Sequence, residues 1–284
     1  MPDQPQAAAG PRRSTQRYIG VSTKAYLGYA QSLTWLEGVR AQFEARQDND
    51  GAVGVTGFVA PSFPVLESAA RILKGTGVWL GAQDVGLLAG PTASGAATGE
   101  VPPRMLAELG VRILEVGHAE RRAHFGEDEA AVAAKLRAGV ANFMTPLLCI
   151  GESRRADPDD AVAACLAQVA SALGLTEGAA GTPSPAEAAP IDPADVIFAY
   201  EPVWAIGAEQ PADADYVAAV LTGLRARLDA CSSGPVRLLY GGSAGPGLLP
   251  RLPAADGLFL GRFAHDPANL GRVLDEAAAV TAAS

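Results

Sequence analysis

The sequence predicts a single α/β domain folded as a closed (β/α)8 barrel. Three observations carry that expectation. Short apolar runs alternate eight times with longer stretches of helical spacing; the chain has 284 residues, room for eight such repeats; and the turn after the first apolar run, Gly20-Val-Ser-Thr-Lys-Ala, lacks the GxGxxG that an open dinucleotide-binding sheet wants there. Taken in order, strands are expected at 18–22, 53–59, 77–83, 113–117, 145–149, 196–201, 236–240 and 257–260. Each is a short apolar run bounded by polar or turn-forming residues. Amphipathic helices are expected between them, at 33–46, 130–141, 161–173, 213–230 and 268–279.

Two stretches fall outside that rhythm. Residues 1–16 carry no apolar h-region and read as a flexible leader, which leaves 17–284 as the barrel domain. Residues 174–193, GLTEGAAGTPSPAEAAPIDP, are rich in Ala, Gly and Pro without periodicity and read as a surface insertion before the sixth strand.

Composition excludes several classes of function. At 49% hydrophobic and 19% charged residues the chain can bury a full core, so it is neither disordered nor collagen-like. With 22 Lys plus Arg against 31 Asp plus Glu, its net charge of −9 disfavours nucleic acid or an anionic membrane as partner. No apolar run is long enough to span a bilayer. Cys149, Cys165 and Cys231 are odd in number and widely spaced, which argues against a disulfide framework or zinc site and fits a reducing cytoplasm.

Barrel enzymes gather their chemistry at the C-terminal ends of the strands, so the polar residues closing each apolar run are the candidates. Lys24 follows the first strand. A lone lysine there is ordinarily a solvated cation, yet only Lys24, Lys74 and Lys135 interrupt an otherwise all-Arg basic set, which suggests a need for a compact ammonium. His118 ends the fourth run, where it is a structural histidine or a general acid. A helix beginning at Ala119 would favour its neutral form. His124 and His265 lack such a setting and read as surface residues. Glu201 closes Val-Ile-Phe-Ala-Tyr, an apolar environment that raises a carboxylate's pKa toward that of a working base. The apolar loop from Pro202 to Gly207 is either core or a lid. Gly241-Gly242-Ser243 and Gly261-Arg262, after the seventh and eighth strands, sit where barrels of this kind cradle phosphate.

Together AYEPVWAIG, TGE-x-PP-x-ML…LGV…VGHAERR, LLCIGE and YGGS resemble the triosephosphate isomerase family, over nearly the whole chain from Arg17 onward. That resemblance implies a proton-transferring isomerase of small sugar phosphates without metal or redox cofactor. By it Glu201 is the base, His118 the electrophile and Lys24 the cation near the substrate oxygens, roles known for the family and carried over by likeness. Gly207, Ser243, Gly261 and Arg262 would hold the phosphate through their amides, and Pro202 to Gln210 would close over it. Lys135 falls at the family lysine that helps keep the histidine neutral, and Glu120 stands in a supporting position. The resemblance also implies a homodimer, in which a loop tipped by Thr98 inserts beside the partner's Lys24 and His118, with Glu100 pairing to Arg121.

The departures from the family concern the substrate. Ser22 and Thr23 replace an asparagine and a tryptophan, Ala208-Glu209-Gln210 replaces the lid's Thr-Gly-Lys, and Arg262 replaces a glycine. This pattern is similar to the branch acting on erythrulose phosphates. Interconversion of D-glyceraldehyde 3-phosphate with dihydroxyacetone phosphate is the first expectation, and isomerisation of L-erythrulose 1-phosphate the alternative. The pathway, glycolysis with gluconeogenesis or polyol breakdown, stays open. A non-catalytic sugar-phosphate sensor and a Schiff-base aldolase are the competing classes.

Overall fold

Eight parallel strands close on themselves in chain order, each hydrogen-bonded to the next and the last to the first. The computed structural model describes residues 16–47, 54–87, 95–175, 189–206 and 212–282. The strands are β1 (Arg17–Ser22), β2 (Val55–Ala60), β3 (Trp79–Ala82), β4 (Val111–Val116), β5 (Thr145–Ile150), β6 (Ile197–Tyr200), β7 (Arg237–Tyr240) and β8 (Gly257–Leu260). Around them lie α1 (Tyr29–Gln47), α2 (Leu66–Ile72), α3 (Pro103–Glu108), α4 (Ala119–Phe125), α5 (Glu129–Ala141), α6 (Pro158–Leu173), α7 (Ala214–Cys231) and α8 (Pro267–Ala282).

Side chains alternate between two cores, because successive strand residues point to opposite faces of the sheet. One set, including Ile19, Val59, Leu114, Leu148, Phe198, Leu238 and Leu258, packs outward under the helices. The other, including Tyr18, Phe58, Ile113, Leu147, Ile197, Leu239 and Phe259, fills the barrel itself. Gly20 is required there: a Cβ would lie 2.0 Å from the Phe58 ring, which stacks on Phe259 with centroids 5.8 Å apart. Truncating a packed inward residue such as Leu147 to alanine costs about 2–5 kcal/mol by this kind of cavity.

The longer helices start where the sequence offers caps. Asp128 accepts the Ala131 amide at 2.8 Å and Asp213 that of Asp215 at 2.9 Å. Buried Arg225 of α7 donates to Val236 O at 2.8 Å and Ala254 O at 2.9 Å and pairs with Asp256, tying the helix to the β7 and β8 entrances. The eight expected strands are all present, β8 with the expected bounds and the others with ends displaced by at most two residues. The helices α2 and α3 have no counterpart in the sequence reading, and α4 begins at Ala119, where a helical turn was read.

The expected leader lies almost wholly among residues 1–15, outside the described residues, and so does 176–188 of the expected insertion. The far end of that insertion is no surface loop. Ile191 and Pro193 are buried, and the Ile191 amide bonds Leu173 O at 3.0 Å, since an apolar residue at that point fills the seam beside α6. Among the described residues no helix is long and apolar enough to cross a membrane.

Candidate active site

Inward-facing side chains shrink toward the C-terminal ends of the strands. Tyr18 gives way to Gly20 and Ser22 on β1, Ile197 to Ala199 and Glu201 on β6, Leu239 to Gly241 on β7, and Phe259 to Gly261 on β8. Large residues plug one end of the barrel and small or polar ones open the other. The result is a cavity of about 470 Å³ lined by Ser22, Lys24, His118, Glu201, Ser243 and Arg262 among others.

Glu201 and His118 face each other across it, with Glu201 Oε2 3.4 Å from His118 Nε2 and the two side chains 6% and 5% exposed. The Glu201 amide, bonded to Ile150 O at 2.8 Å, continues the ladder one residue past β6. Gly241 makes room for the carboxyl group, because a Cβ there would stand 2.5 Å from Glu201 Oε1. His118 caps α4, its Nδ1 accepting the Glu120 N–H at 3.1 Å. Only an unprotonated Nδ1 can accept, so the single proton of the neutral ring sits on Nε2, aimed at Glu201.

Opposed influences act on that ring. Burial lowers its pKa, while the Glu201 carboxylate, reinforced by Glu115, outweighs burial and draws it up to about 9. This direction is opposite to the one expected from a helix N-terminus alone. The upward pull comes from a carboxylate facing Nε2 directly.

Lys24 reaches the same space from a strained backbone, at φ +48°. Its carbonyl is pinned by Ser62 Oγ at 2.9 Å and Gln83 Nε2 at 3.0 Å, and Gln83 Nε2 also reaches Ala60 O at 2.9 Å. Its ammonium pairs with Glu120 Oε1 at 2.8 Å. Burial works against the charge, but the Glu120 hydrogen bond and the Glu201 and Glu115 carboxylates prevail and raise the lysine's pKa. Ser62 and Gln83 were missed in the sequence. Ser62 lies past the end of β2, and Gln83, which closes the third expected strand, carries no acid–base chemistry; their role is to hold a main-chain atom.

Glu115 was missed as well. On β4 it shares the inward face with Ile113, while Leu114 and Val116 face the helices. It is 4% exposed, and burial pushes its pKa up to about 7, against the smaller opposing effects of His118, the Ser22 hydroxyl and Lys24. A Glu between apolar neighbours in a strand looks from sequence like the polar half of an alternation, and only barrel closure shows that this half points to the axis.

Ser243, Gly261 and Arg262 line the cavity as expected, Arg262 with its guanidinium 5.6 Å from the Tyr26 ring centroid. Gly207 lies outside the described residues. The beginning of the expected lid is anchored: Trp204 Nε1, Tyr216 Oη and Tyr200 Oη donate to the single oxygen Glu152 Oε1 at 2.7, 2.9 and 3.2 Å. His265, read as a surface residue, is half-buried with its ring 5.6 Å from that of Tyr26.

Lys135 is not beside His118. Its ammonium is buried between Asp84, at 2.5 Å, and Glu127, and Arg121 bonds the same two carboxylates at 2.9 and 2.7 Å. An ammonium so engaged is tied to α4 through the two carboxylates that Arg121 shares. Within the chain Arg121 therefore has Asp84 and Glu127 as partners. Thr98 is exposed on a turn and does not line the cavity of its own chain. Among the described residues no group of three or more His, Cys, Asp or Glu side chains is placed to hold a metal ion.

A buried carboxylate facing an imidazole N–H, a lysine alongside and glycine-rich backbone at one end suit proton transfer between adjacent carbons of a small phosphorylated molecule. Comparison with known proteins agrees with that chemistry. A family model described as triosephosphate isomerase matches residues 17–277. The L-erythrulose-1-phosphate isomerase of Pectobacterium atrosepticum is 41% identical over 261 residues, 91% of this chain and 95% of that protein. Those of Mesorhizobium japonicum and Rhizobium meliloti are each 36% identical, covering 87% and 88% of this chain and 91% and 92% of their own lengths.

Proposed function

The chain belongs to the triosephosphate isomerase family and is a sugar-phosphate isomerase of the aldose–ketose type, and on that premise we propose that its substrate is L-erythrulose 1-phosphate. The names of the relatives favour this four-carbon substrate over the three-carbon pair that the sequence put first. The observation that carries the chemistry is the 3.4 Å approach of Glu201 Oε2 to His118 Nε2 inside a cavity that Lys24 also lines.

In this reading the phosphate rests on the backbone of Gly242, Ser243, Gly261 and Arg262, joined by Gly207 as the lid closes. An enediolate needs a hydroxyl on the carbon next to the carbonyl, and in L-erythrulose 1-phosphate that carbon is C3. Glu201 removes the C3 proton, the C3–H electron pair moves into the C2–C3 bond, and the carbonyl oxygen takes the negative charge. Lys24 ammonium and His118 Nε2–H stabilise that oxygen. His118 passes a proton between the two oxygens, Glu201 returns its proton to C2, and the carbonyl now stands at C3. Renumbered from the other end, the product is an erythrulose 4-phosphate. With dihydroxyacetone phosphate the same steps would yield an aldose.

We further propose a homodimer, working in a reducing cytoplasm, in which the Thr98 loop of one protomer borders the other's site. Three free cysteines, two of them buried, suit that compartment.

The test is solvent exchange. Incubation with L-erythrulose 1-phosphate in heavy water should place deuterium beside the carbonyl and convert substrate, with kcat/KM above that for dihydroxyacetone phosphate. Glu201→Asp, which withdraws the carboxylate by one methylene, should lose about 100-fold or more in kcat. No exchange with either substrate would remove the isomerase mechanism. Exchange with dihydroxyacetone phosphate alone would restore the three-carbon reading.

A further inference from the structure

We propose that Ser22 and Glu115 form a subsite for the terminal hydroxymethyl group that a four-carbon sugar phosphate carries and a three-carbon one lacks. The inference rests on the substrate reading above and adds to it which side chains recognise the fourth carbon.

Chemistry places that group. In L-erythrulose 1-phosphate the hydroxymethyl is attached to C3, the carbon that Glu201 deprotonates, and lies on the side away from the phosphate. Room and polar partners are therefore needed next to Glu201 and His118, at the end of the cavity remote from the glycine loops.

The fold supplies both. Ser22 ends β1 on the inward face, lines the cavity and has a short side chain. Glu115 faces inward on β4, its carboxylate acts electrostatically on His118 and Lys24, and it is acted on by Glu201 and the Ser22 hydroxyl. Ser22 Oγ and Glu115 Oε2 are both buried and neither has a partner in full hydrogen-bond geometry, although the Ser22 hydroxyl is near enough to the Glu115 carboxyl to hold its pKa down. Buried polar atoms are nearly always satisfied, and a carboxylate far more stringently than most. Two orphaned atoms that interact with one another beside a ligand cavity mark a place where the ligand completes the bonding. One hydroxyl does so for both: its O–H donates to Glu115 Oε2 and its oxygen accepts from Ser22 Oγ–H. A three-carbon substrate leaves both atoms unpaired, and sites built to bond a substrate hydroxyl discriminate strongly against analogues without it.

The experiment compares L-erythrulose 1-phosphate, dihydroxyacetone phosphate and 1-phospho-3-hydroxybutan-2-one, which keeps the fourth carbon and lacks its hydroxyl. The unaltered protein should prefer the hydroxylated substrate to its deoxy analogue by about 100-fold in kcat/KM. Glu115→Leu should shrink that preference to within about threefold, and Glu115→Gln, whose amide oxygen still accepts, should keep part of it. Ser22→Asn, which fills the space, should lower the four-carbon to three-carbon ratio by about 100-fold. If Glu115→Leu does not fold, Glu115→Gln and Ser22→Asn carry the comparison. A common factor of loss on all three substrates, with the preference intact, would overturn the subsite and leave Glu115 a support of the catalytic groups. An unaltered protein inert toward L-erythrulose 1-phosphate would instead overturn the substrate reading itself, so the two failures are distinguishable.

Discussion

Glu115 is a carboxylate held away from water without an ion-pair partner among the described residues, and a group in that state makes stability depend on pH. Its pKa is about 7 in the folded chain against 4.5 for an ordinary Glu. Below pH 4.5 both folded and unfolded chains hold the proton. Between 4.5 and 7 the unfolded chain releases it while the folded chain keeps it, so stability falls as pH rises, and above 7 the loss is complete. A shift of this size corresponds to about 3 kcal/mol. Glu115→Gln has no such titration. Its urea-unfolding free energy should gain on that of the unaltered protein by up to about 3 kcal/mol between pH 4.5 and 8. A difference constant across that range would mean that Glu115 ionises normally. At this scale the sequence was legible where a side chain both ends an apolar run and makes the chemistry: Lys24, His118 and Glu201 meet in one cavity as read. It was not legible where a residue works by closing distances across the barrel. Nothing in the local pattern around Glu115, Ser62 or Gln83 states that β1, β2, β3 and β4 bring them beside Lys24 and Ser22.

Among the elements, the short helix α4 carries His118, and a buried ion cluster holds it in place. Arg121 of α4 and Lys135 of α5 share Asp84, which follows β3, and Glu127, which lies between the two helices. Burial favours the uncharged form of both acids. It prevails at Asp84, whose pKa rises despite Lys135, and is overcome at Glu127 by Lys135 and Arg121 together, so that pKa falls. Removing one member leaves buried charge without its partner, which costs about 3–5 kcal/mol. Lys135→Met should therefore lower the urea-unfolding free energy by that amount, although Lys135 is remote from the substrate. A change under about 1 kcal/mol would show that the cluster relaxes around the gap or is reached by water. The helices α1, α5, α6, α7 and α8 were legible because several turns repeat their apolar spacing. The helices α2 and α3 have 7 and 6 residues, too few for a 3.6-residue period to repeat, and their starts at Val65 and Pro102 carry none of the usual Ser, Thr, Asp or Asn caps, whereas the first turn of α4 was read at Ala119.

The whole molecule divides its labour along the barrel axis. Large inward residues at one end supply packing, and small or polar ones at the other leave space for chemistry, so substitutions that change specificity need not touch the core. The same end presents apolar side chains to solvent: Tyr26 and Tyr29 after β1, Leu87 after β3, Met105 on α3 and Phe125 on α4 are 47–65% exposed. Of these, Tyr26 lines the active-site cavity. In the proposed homodimer a second copy of the chain, inserting its own Thr98 turn, would shield the Lys24 side of the cavity. Sedimentation of the unaltered protein should then give twice the monomer mass at micromolar concentration. Thr98→Arg, a bulky charge at the tip of the inserted loop, should shift the protein toward monomer and lower kcat, with activity recovering as protein concentration is raised. A protein that sediments as a monomer with full activity would show that one chain completes its own site.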